Sequence, residues 1–342
     1  MDSERSLDFS TKLLAAISAQ DKVLIITHDN PDPDALASAY ALSYLIEMTH
    51  GIRSVIACGG VVGRRENRTL IEKIEIPIER IEELDFNDFN LVCMVDAQPG
   101  TGNSSMVAEQ AIDVIIDHHP VRNESRTPNI FCDIRPEYGA CATILFEYLQ
   151  AQDIRLSTRL ATAMFYAIRS ETQDLGREWV APDRQAYLEL MSLSNNRILF
   201  DIAQAKVPRS YFSSFNTALQ SAYTYNDILV FNLYNIDHSD TVAEIADFLL
   251  RTEGIALVLG MGCTGDKEVL SLRTDREDIF AGKVIRSLVG EIGTAGGHDR
   301  IAGGQIKGVP NDRQAQIRLE KQLVGRLLEI FGYKDAQQLP LL

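Results

Sequence analysis

Residues 27–39 read THDNPDPDALASA and directly follow the apolar run VLII at 23–26. Within seven positions this stretch gathers one histidine, His28, and three aspartates. An unbroken apolar run of this length is typical of a strand buried on both faces of a parallel sheet. Pro31 and Pro33 stiffen the turn that follows, and the pattern then becomes helical. We therefore predict a strand–loop–helix unit whose loop carries acidic side chains at the carboxyl end of the strand.

Two further apolar segments end in polar, chemically reactive side chains. NLVCMVDA at 90–97 ends next to Asp96, and AIDVIIDHH spans 111–119. The second segment ends in Asp117, His118 and His119. Strands that alternate with helical segments predict an α/β fold with a parallel sheet, and in open sheets of this kind ligands bind beyond the carboxyl ends of the strands. We therefore expect these side chains to meet the acidic loop at one edge.

That edge would collect at least four carboxylates and three imidazoles. Carboxylates a few ångströms apart repel one another, and some would take up protons unless cations neutralised them. Because the ligand set is rich in oxygen, includes imidazole and lacks thiolate, it favours Mn²⁺ or Mg²⁺ over structural Zn²⁺. The sequence thus predicts a site for divalent cations.

Composition limits the classes of function. The chain has 342 residues, of which 45% are hydrophobic and 24% charged, as in ordinary globular proteins. A formal net charge of −15 argues against tight binding to long nucleic acid, which requires a basic surface. A small anionic substrate, held by a few local cations, remains compatible with this charge.

Cellular context is predicted from three features. The longest apolar stretches, such as IALVLGMG at 255–262, are too short to cross a bilayer. The first ten residues, MDSERSLDFS, do not resemble a signal peptide. The five cysteines include no CxxC pair, and we interpret them as reduced thiols. Together these features predict a cytoplasmic protein that does not contact membranes.

The pattern predicts two domains. A parallel-sheet α/β domain would occupy residues 1–190, and a more polar helical connector would occupy 191–225. A smaller α/β domain would follow at 226–342, with a glycine-rich loop, TAGGHDRIAGGQIKG, before its last helix.

The order HxxxDxD, lone strand-end aspartate, then DHH resembles the DHH phosphoesterase superfamily. The segment GGHDRIAGG at 296–304 is similar to the glycine-histidine motif of the DHH-associated domain. The resemblance implies a catalytic domain followed by a substrate-binding domain, and hydrolysis by a water that two divalent cations activate. Mn²⁺ is the implied metal, with Mg²⁺ as the alternative.

The resemblance also implies roles for individual residues. His28 and Asp32 would hold one metal. Asp34 and His118 would hold the other. Asp96 would bridge both metals.

Three further positions of this domain take roles from the resemblance. Asp117 would orient the imidazoles, and His119 would contact the substrate phosphate. The family has an aspartate as its next ligand, where this chain has Glu171 in IRSETQDLGRE. Asp174, about one helical turn on, is the alternative ligand.

In the second domain the resemblance implies a phosphate-binding surface. Arg273 would bind the phosphate, and Ser271 would lie on the same face of its strand. The remaining residues of this surface belong to the glycine-rich segment. They are Gly296, Gly297, His298, Gly303 and Gly304.

The chain most resembles short-oligoribonucleotide nucleases that also act on 3′-phosphoadenosine 5′-phosphate, so a small nucleotide or short RNA is the expected partner. An exopolyphosphatase and a phosphodiesterase of cyclic or linear dinucleotides remain alternatives. Single-strand-DNA exonucleases fit less well because this chain is short and acidic. A nucleotide sensor without turnover is the non-enzymatic alternative, and a homodimer stays open.

Overall fold

A computed structural model describes residues 3–17, 22–101, 103–105, 110–121, 131–297, 300–310 and 312–342. The chain divides into two compact units, Met1–Lys206 and Val207–Leu342. Residues of the predicted connector at 191–225 therefore belong partly to each unit. His298, which the sequence analysis assigned to the phosphate-binding surface, lies outside the described residues.

The first unit contains a six-stranded sheet in which every pair of neighbours is parallel. Its strands are β1 (Val23–Ile26), β2 (Val55–Cys58), β3 (Ile78–Arg80), β4 (Leu91–Val95), β5 (Val114–Asp117) and β6 (Phe131–Ile134). Their order in the sheet is β3-β2-β1-β4-β5-β6. The predicted α/β class with a parallel sheet is confirmed for this unit.

Helices of the first unit cover one face of this sheet. They are α1 (Ser3–Ala16), α2 (Pro33–His50), α3 (Arg65–Ile74), α4 (Cys141–Ala151), α5 (Thr158–Glu171), α6 (Ala181–Leu193) and α7 (Asn196–Ala203). Alternate residues of β1 enter different apolar clusters: Ile25 packs with the helices, and Leu24 packs with segments that include Ile81. Both faces of β1 are thus buried, as its unbroken apolar run predicts.

The sheet order places side by side the three strands that end in candidate functional residues. β1, β4 and β5 are adjacent, and Ile26 of β1 pairs with Met94 of β4. His28 follows β1, Asp96 follows β4 directly, and Asp117 is the last residue of β5. Since all three strands run in the same direction, these residues leave the sheet at one edge.

Two strands and one helix boundary differ from what the pattern suggests. The edge strands β3 and β6 have only three and four residues, and their sequences, IER and FCDI, carry charged side chains. Sequence analysis did not identify them, because short edge strands lack a long apolar run. The amphipathic pattern of residues 8–20 predicts a helix that begins at residue 8, whereas the first helix begins at Ser3.

The second unit is built on a seven-stranded mixed sheet of order β11-β12-β10-β9-β8-β7-β13. Its strands are β7 (Tyr223–Tyr225), β8 (Ile228–Asn235), β9 (Leu257–Thr264), β10 (Lys267–Thr274), β11 (Thr294–Gly297), β12 (Ile301–Lys307) and β13 (Leu339–Pro340). Only β8 and β9 pair in parallel among the described strands of this sheet. Its helices are α8 (Arg209–Ser221), α9 (Asp240–Leu249), α10 (Ala281–Val289) and α11 (Arg313–Phe331).

The glycine-rich segment is not the loop that the sequence analysis predicted. Four of its glycines, at 296, 297, 303 and 304, lie in β11 and β12, which pair antiparallel, with Gly296 opposite Gly303. The prediction was wrong because glycine is also used where a backbone passes close to another chain segment. A Cβ at Gly282 of α10 would collide with the carbonyl oxygen of Gly297, so this hairpin lies directly against the helix.

None of the helices in the described ranges has the length and apolarity that a bilayer-spanning segment requires.

A buried pair of carboxylates lies under α11 in the second unit. Glu268 of β10 is 2% exposed, and its Oε2 atom has no hydrogen-bond partner among the described residues. Burial, followed by the negative charge of Glu320, raises the pKa of Glu268 to about 8. Glu320 instead accepts hydrogen bonds from the Tyr223 hydroxyl at 2.7 Å and the Asn232 amide at 3.0 Å. Folding therefore favours the protonated form of Glu268.

This pair predicts a pH-dependent stability. The folded pKa of Glu268 exceeds its ordinary value of 4.5, so its neutral form is retained at low pH. Stability should be lost as pH rises from about 4.5 to about 8, by roughly 1.4 kcal/mol per pH unit. Glu268→Gln should remove this loss and raise the melting temperature more at pH 8.5 than at pH 5. Thermal unfolding at both pH values measures the effect, with the exposed Glu277→Gln as the control. An equal shift at both pH values would contradict it.

Candidate metal centre

His28 is oriented by the backbone of the loop after β1. Its Nδ1 atom lies 2.9 Å from the carbonyl oxygen of Asp29, and because a carbonyl only accepts, Nδ1 donates. Nε2 lies 3.7 Å from Oδ2 of both Asp32 and Asp96. The ring thus directs Nε2 toward two carboxylates, which is the arrangement of a metal-binding histidine with a fixed tautomer.

Asp32 has two separate tasks, one for each carboxylate oxygen. It is the N-cap of α2, and its Oδ1 accepts hydrogen bonds from the backbone amides of Asp34 and Ala35, both at 3.0 Å. Pro33 at the first helical position has no amide hydrogen and suits that place. Oδ2 remains directed toward His28. The cap fixes the carboxylate without using its second oxygen.

Asp34 is buried and is held by a different helix. Its Oδ2 accepts from the amide of Cys141 at 2.7 Å, and its Oδ1 accepts from the amide of Ala142 at 2.8 Å. These are the first amides of α4, whose partial positive charge favours a carboxylate. The Oδ2 atom also lies 3.7 Å from Nε2 of His118. Asp34 is therefore positioned in the cluster by the N-terminus of α4.

Asp96 stands at the middle of the cluster. It is 1% exposed, and its backbone has a left-handed φ of 55°, which is uncommon for a residue other than glycine. Its Oδ2 faces His28, whereas its Oδ1 lies 3.4 Å from Nε2 of His118. Oδ1 is buried and has no hydrogen-bond partner in the described part of the chain. A strained backbone and an unsatisfied buried oxygen are both typical of a functional site.

His118 mirrors His28 on the other side of Asp96. Its Nδ1 donates to the carbonyl oxygen of Tyr138 at 3.1 Å, so Nε2 faces Asp34 and Asp96. Tyr138 in turn belongs to a buried ionic network with Arg135. The carbonyl that orients His118 is therefore fixed by the interior of the unit.

Asp117 connects His119 to a residue that the sequence analysis missed. Its Oδ1 accepts from Nδ1 of His119 at 2.7 Å, and its Oδ2 accepts from the amide of Gln98 at 2.7 Å. Gln98 is 1% exposed and also donates to the carbonyl oxygen of His119. No motif identifies Gln98; its only signal is its position two residues after Asp96 at the end of β4.

Electrostatics tie the acidic and basic groups together. Burial opposes a charge on His28, but the hydrogen bond and charge of Asp32 outweigh it and raise the pKa of His28 to about 10. The pKa of His118 is also raised, because the attraction of Asp96 exceeds the effect of burial. Burial and the charge of Asp96 raise the pKa of Asp34. Protons therefore supply the positive charge that balances these carboxylates.

The same atoms fit divalent cations. Two groups of possible ligand atoms occur among the described residues, and within each group the atoms lie no more than 4.8 Å apart. One group is His28, Asp32 and Asp96, and the other is Asp96, His118 and His119. The two groups share Asp96, whose orphaned Oδ1 would gain a partner. Carboxylate oxygens with imidazole nitrogens suit Mn²⁺ or Mg²⁺, and the Nδ1 hydrogen bonds supply the outer support that metal-binding histidines need.

The structure distinguishes Glu171 from Asp174. Burial, and next the charge of Asp32, raise the pKa of Glu171 to about 7, which places its carboxylate among the acidic group. Its charge also acts on Asp34 and His118. Asp174 is engaged elsewhere, since its Oδ1 accepts from Arg169 at 2.8 Å. Of the two candidates, Glu171 is the one whose charge acts on residues of the cluster.

Several residues assigned to the second domain lie side by side in its sheet. Ser271 of β10 pairs with Gly303 of β12, which pairs with Gly296 of β11. Gly297 and Gly304 belong to the same two strands, β11 and β12.

Arg273 and Ser271 are both buried. Arg273 donates through Nε to Asp247 at 2.5 Å and through a terminal nitrogen to the carbonyl oxygen of Leu272 at 3.0 Å. The Ser271 hydroxyl has no hydrogen-bond partner among the described residues.

Comparison with known proteins identifies the first unit. Residues 22–168 match the DHH family, N-terminal domain. This part of the chain is therefore similar to the N-terminal domain of the DHH family. An uncharacterized protein of Methanocaldococcus jannaschii is 32% identical over 322 residues, which cover 92% of this chain and 65% of that protein.

Other relatives and structures match different portions of the chain. The manganese-dependent inorganic pyrophosphatase of Bacillus subtilis is 28% identical over 152 residues, or 44% of this chain and 48% of that protein. An exopolyphosphatase-related protein from Bacteroides fragilis has the same fold at 15% identity, with a TM-score of 0.74 over 96% of this chain and 98% of that one. RecJ of Thermus thermophilus gives 0.52 at 13% identity, over 95% of this chain and 55% of that one. The chain thus spans about half to two thirds of the curated relatives named here.

The raised pKa of His28 predicts that cation binding is linked to proton release. Below about pH 10 the imidazole holds a proton that a cation must displace, so affinity should increase as pH rises. The expected gain is about tenfold per pH unit for each proton released. Calorimetric titration with Mn²⁺ at pH 6.5, 7.5 and 8.5, in two buffers of different ionisation enthalpy, counts the protons. His238→Gln, at an exposed loop histidine, should behave like the parent. A pH-independent affinity without proton release would argue against a charged His28.

The positions of Glu171 and Asp174 predict unequal effects on metal binding. Glu171→Gln should weaken Mn²⁺ binding by about tenfold to hundredfold, because a carboxylate of the cluster is lost. Asp174→Asn should leave the affinity unchanged, since its carboxylate is paired with Arg169. Direct titration of both variants with Mn²⁺ provides the comparison. The reverse ranking would assign the ligand role to Asp174.

Proposed function

We propose that this protein is a divalent-metal-dependent phosphoesterase that hydrolyses short oligoribonucleotides or 3′-phosphoadenosine 5′-phosphate to mononucleotides. Mn²⁺ is the proposed cofactor, with Mg²⁺ as the second choice. The observation that carries the proposal is the pair of histidine–carboxylate groups that share the buried Asp96 and its unsatisfied Oδ1. Relatives named as manganese-dependent pyrophosphatases support the choice of metal.

Two bound divalent cations would supply an acidified water and would neutralise charge on the phosphoryl oxygens. The chain's own residues orient the side chains that would bind the cations, and they hold a proton on His119. The carbonyl oxygens of Asp29 and Tyr138 keep the Nε2 atoms of His28 and His118 directed at the carboxylates. Such preorganised polar groups are the main protein contribution to phosphoryl chemistry.

His119 is the proposed contact with the phosphate. Burial acts against its charge, but the hydrogen bond and charge of Asp117, together with the charge of Asp96, raise the pKa of His119. This shift favours the protonated ring, and Asp117 fixes the ring through Nδ1 at 2.7 Å. A charged imidazole stabilises negative charge that develops on a phosphoryl oxygen.

Short substrates suit the charge of this chain. A net charge of −15 gives little attraction for a long phosphate backbone, which binds through many Lys and Arg contacts. In the second unit, Arg273 is the proposed phosphate contact, although Asp247 already engages its Nε. One terminal nitrogen of its guanidinium also donates to the carbonyl oxygens of Leu272 and Ala302. We therefore assign at most one or two phosphate contacts to that surface.

Hydrolysis with Mn²⁺ tests the proposal directly. Substrates are RNAs of two to thirty nucleotides, 3′-phosphoadenosine 5′-phosphate, pyrophosphate and polyphosphate, each at two salt concentrations. We expect efficient cleavage of RNAs of two to five nucleotides and of the bisphosphate, with a shallow salt dependence because few phosphates are contacted. Asp96→Asn, which alters the shared carboxylate, should reduce turnover by several orders of magnitude. His238→Gln is the control at an unrelated exposed position.

Each of the other outcomes would indicate a different function. Efficiency that rises with RNA length and falls steeply with salt would indicate a processive exonuclease. Hydrolysis of polyphosphate or pyrophosphate alone would indicate an enzyme of the kind for which two of the similar proteins are named. Nucleotide binding without turnover in the presence of Mn²⁺ would indicate a sensor.

A further inference from the structure

A cavity of about 270 Å³ lies beside the end of α5 in the first unit. Its polar lining consists of Glu66, Tyr166, Arg169, Ser170, Gln173 and Asp174. Ser170 directly precedes Glu171 of the metal centre, and Glu66 lies in the first turn of α3, which begins seven residues after β2 ends. The cavity is thus built from segments next to the carboxyl edge of the sheet, where the metal ligands lie.

One face of α5 supplies the donors of this cavity. Tyr166, Arg169 and Ser170 are spaced at i, i+3 and i+4 and share a face of α5, and Gln173 follows in the turn after the helix. Arg169 uses Nε to bind Asp174. Among the described residues, neither its terminal nitrogens nor the side chains of Ser170 and Gln173 form a hydrogen bond.

The turn after α5 fixes the guanidinium. Gln173, Asp174 and Leu175 have consecutive left-handed φ angles of 49°, 57° and 61°. None of the three is glycine, so each pays a steric cost of about 1 kcal/mol or more in this conformation. The turn places Asp174 where its Oδ1 accepts from both Arg169, at 2.8 Å, and Tyr187, at 2.9 Å. Strained backbone that holds one arginine in a single orientation is typical of a ligand-binding segment.

Glu66 is the uncommitted acceptor. In the described ranges it forms no hydrogen bond or ion pair, whereas Asp174 already serves Arg169 and Tyr187. Burial, and then the charge of Glu66, raise the pKa of Tyr166 to about 12, which places this carboxylate near the phenol and keeps the phenol protonated.

The charges of the lining decide which kind of group fits. One guanidinium and two carboxylates give the lining a formal charge of −1, which disfavours a second phosphate. Hydroxyls, an amide, a guanidinium and a free carboxylate together suit a neutral group that both donates and accepts hydrogen bonds. The volume of about 270 Å³ is close to the lower end of small-molecule sites, about 300 Å³. A nucleoside has this size and this mixture of donors and acceptors.

We propose that this cavity binds the ribonucleoside part of the substrate, with Glu66 accepting hydrogen bonds from the ribose hydroxyls and Arg169 and Gln173 contacting the base. The proposal rests on the proposed function, because it places the sugar next to a phosphate at the metal centre. It makes Glu66 the residue that distinguishes a ribonucleotide from a nucleotide without those hydroxyls.

The test is a comparison of AMP with 2′,3′-dideoxyAMP by calorimetric titration in the presence of Mn²⁺. The parent should bind AMP about tenfold to hundredfold more tightly, which corresponds to one hydrogen bond to a charged group. Glu66→Ala should abolish this preference, and Glu72→Ala, at an exposed position of the same helix, should retain it. Arg169→Met should weaken the binding of both nucleotides by about tenfold and should retain the preference for AMP. Circular dichroism establishes that each variant is folded.

Three results would overturn the assignment: no binding of AMP, equal affinities of the parent for both nucleotides, or an unchanged preference in Glu66→Ala. Hydrolysis of bis(p-nitrophenyl) phosphate with Mn²⁺, which has no ribose, is measured in parallel. If this ester and the RNAs resist hydrolysis but Glu66→Ala abolishes the AMP preference, the proposed function fails and the ribonucleoside site stands. If the ester is hydrolysed and the AMP preference is absent, the phosphoesterase stands and the ribonucleoside site fails.

Discussion

Repulsion between close carboxylates is the constraint on which the first unit depends. Asp32 is relieved by the opening amides of its own helix, and Asp34 by the opening amides of a distant one. The carboxylate of Asp96 accepts no hydrogen bond from the opening amides of a described helix. Its backbone has a left-handed φ, and one of its buried oxygens has no hydrogen-bond partner among the described residues. Backbone dipoles thus support Asp32 and Asp34, but burial and Asp96 still raise the pKa of Asp34, so a cation would be needed to neutralise the group.

The main features of this arrangement could be predicted from sequence because they are local. An apolar run that stops at a polar residue marks a strand end, and parallel strands place such ends at one edge. The partners that orient the ligands are not local. Gln98, the carbonyl of Tyr138 and the amides of 141 and 142 come from other segments, and backbone groups have no residue-type signal. The hairpin of β11 and β12 was missed for a related reason, since glycine marks both turns and close backbone contacts.

The family match and the choice of substrate depend on different parts of the molecule. The family match rests on residues 22–168, the part of the chain that carries these strand ends. Selection among nucleotides, pyrophosphate and polyphosphate requires groups that contact the rest of the substrate. In the first unit the groups proposed for this role lie on α5 and α3, outside any motif, and a single turn of unfavourable φ angles separates Glu171 from Asp174. Sequence spacing alone leaves those two carboxylates equivalent, whereas backbone geometry does not.

The hydrogen bonds of Asp34 also determine when the centre can assemble. Its partners are 107 and 108 positions further along the chain. During synthesis the loop after β1 is made long before α4, so Asp34 lacks its amides until residue 142 has emerged and the helix has docked. Contacts between such distant segments form late in folding. The half-site around His28 is nearly local, apart from Asp96, and the half-site around His118 is not. A nascent chain therefore brings the candidate metal ligands together in a fixed order, and the full cluster exists only in the folded unit.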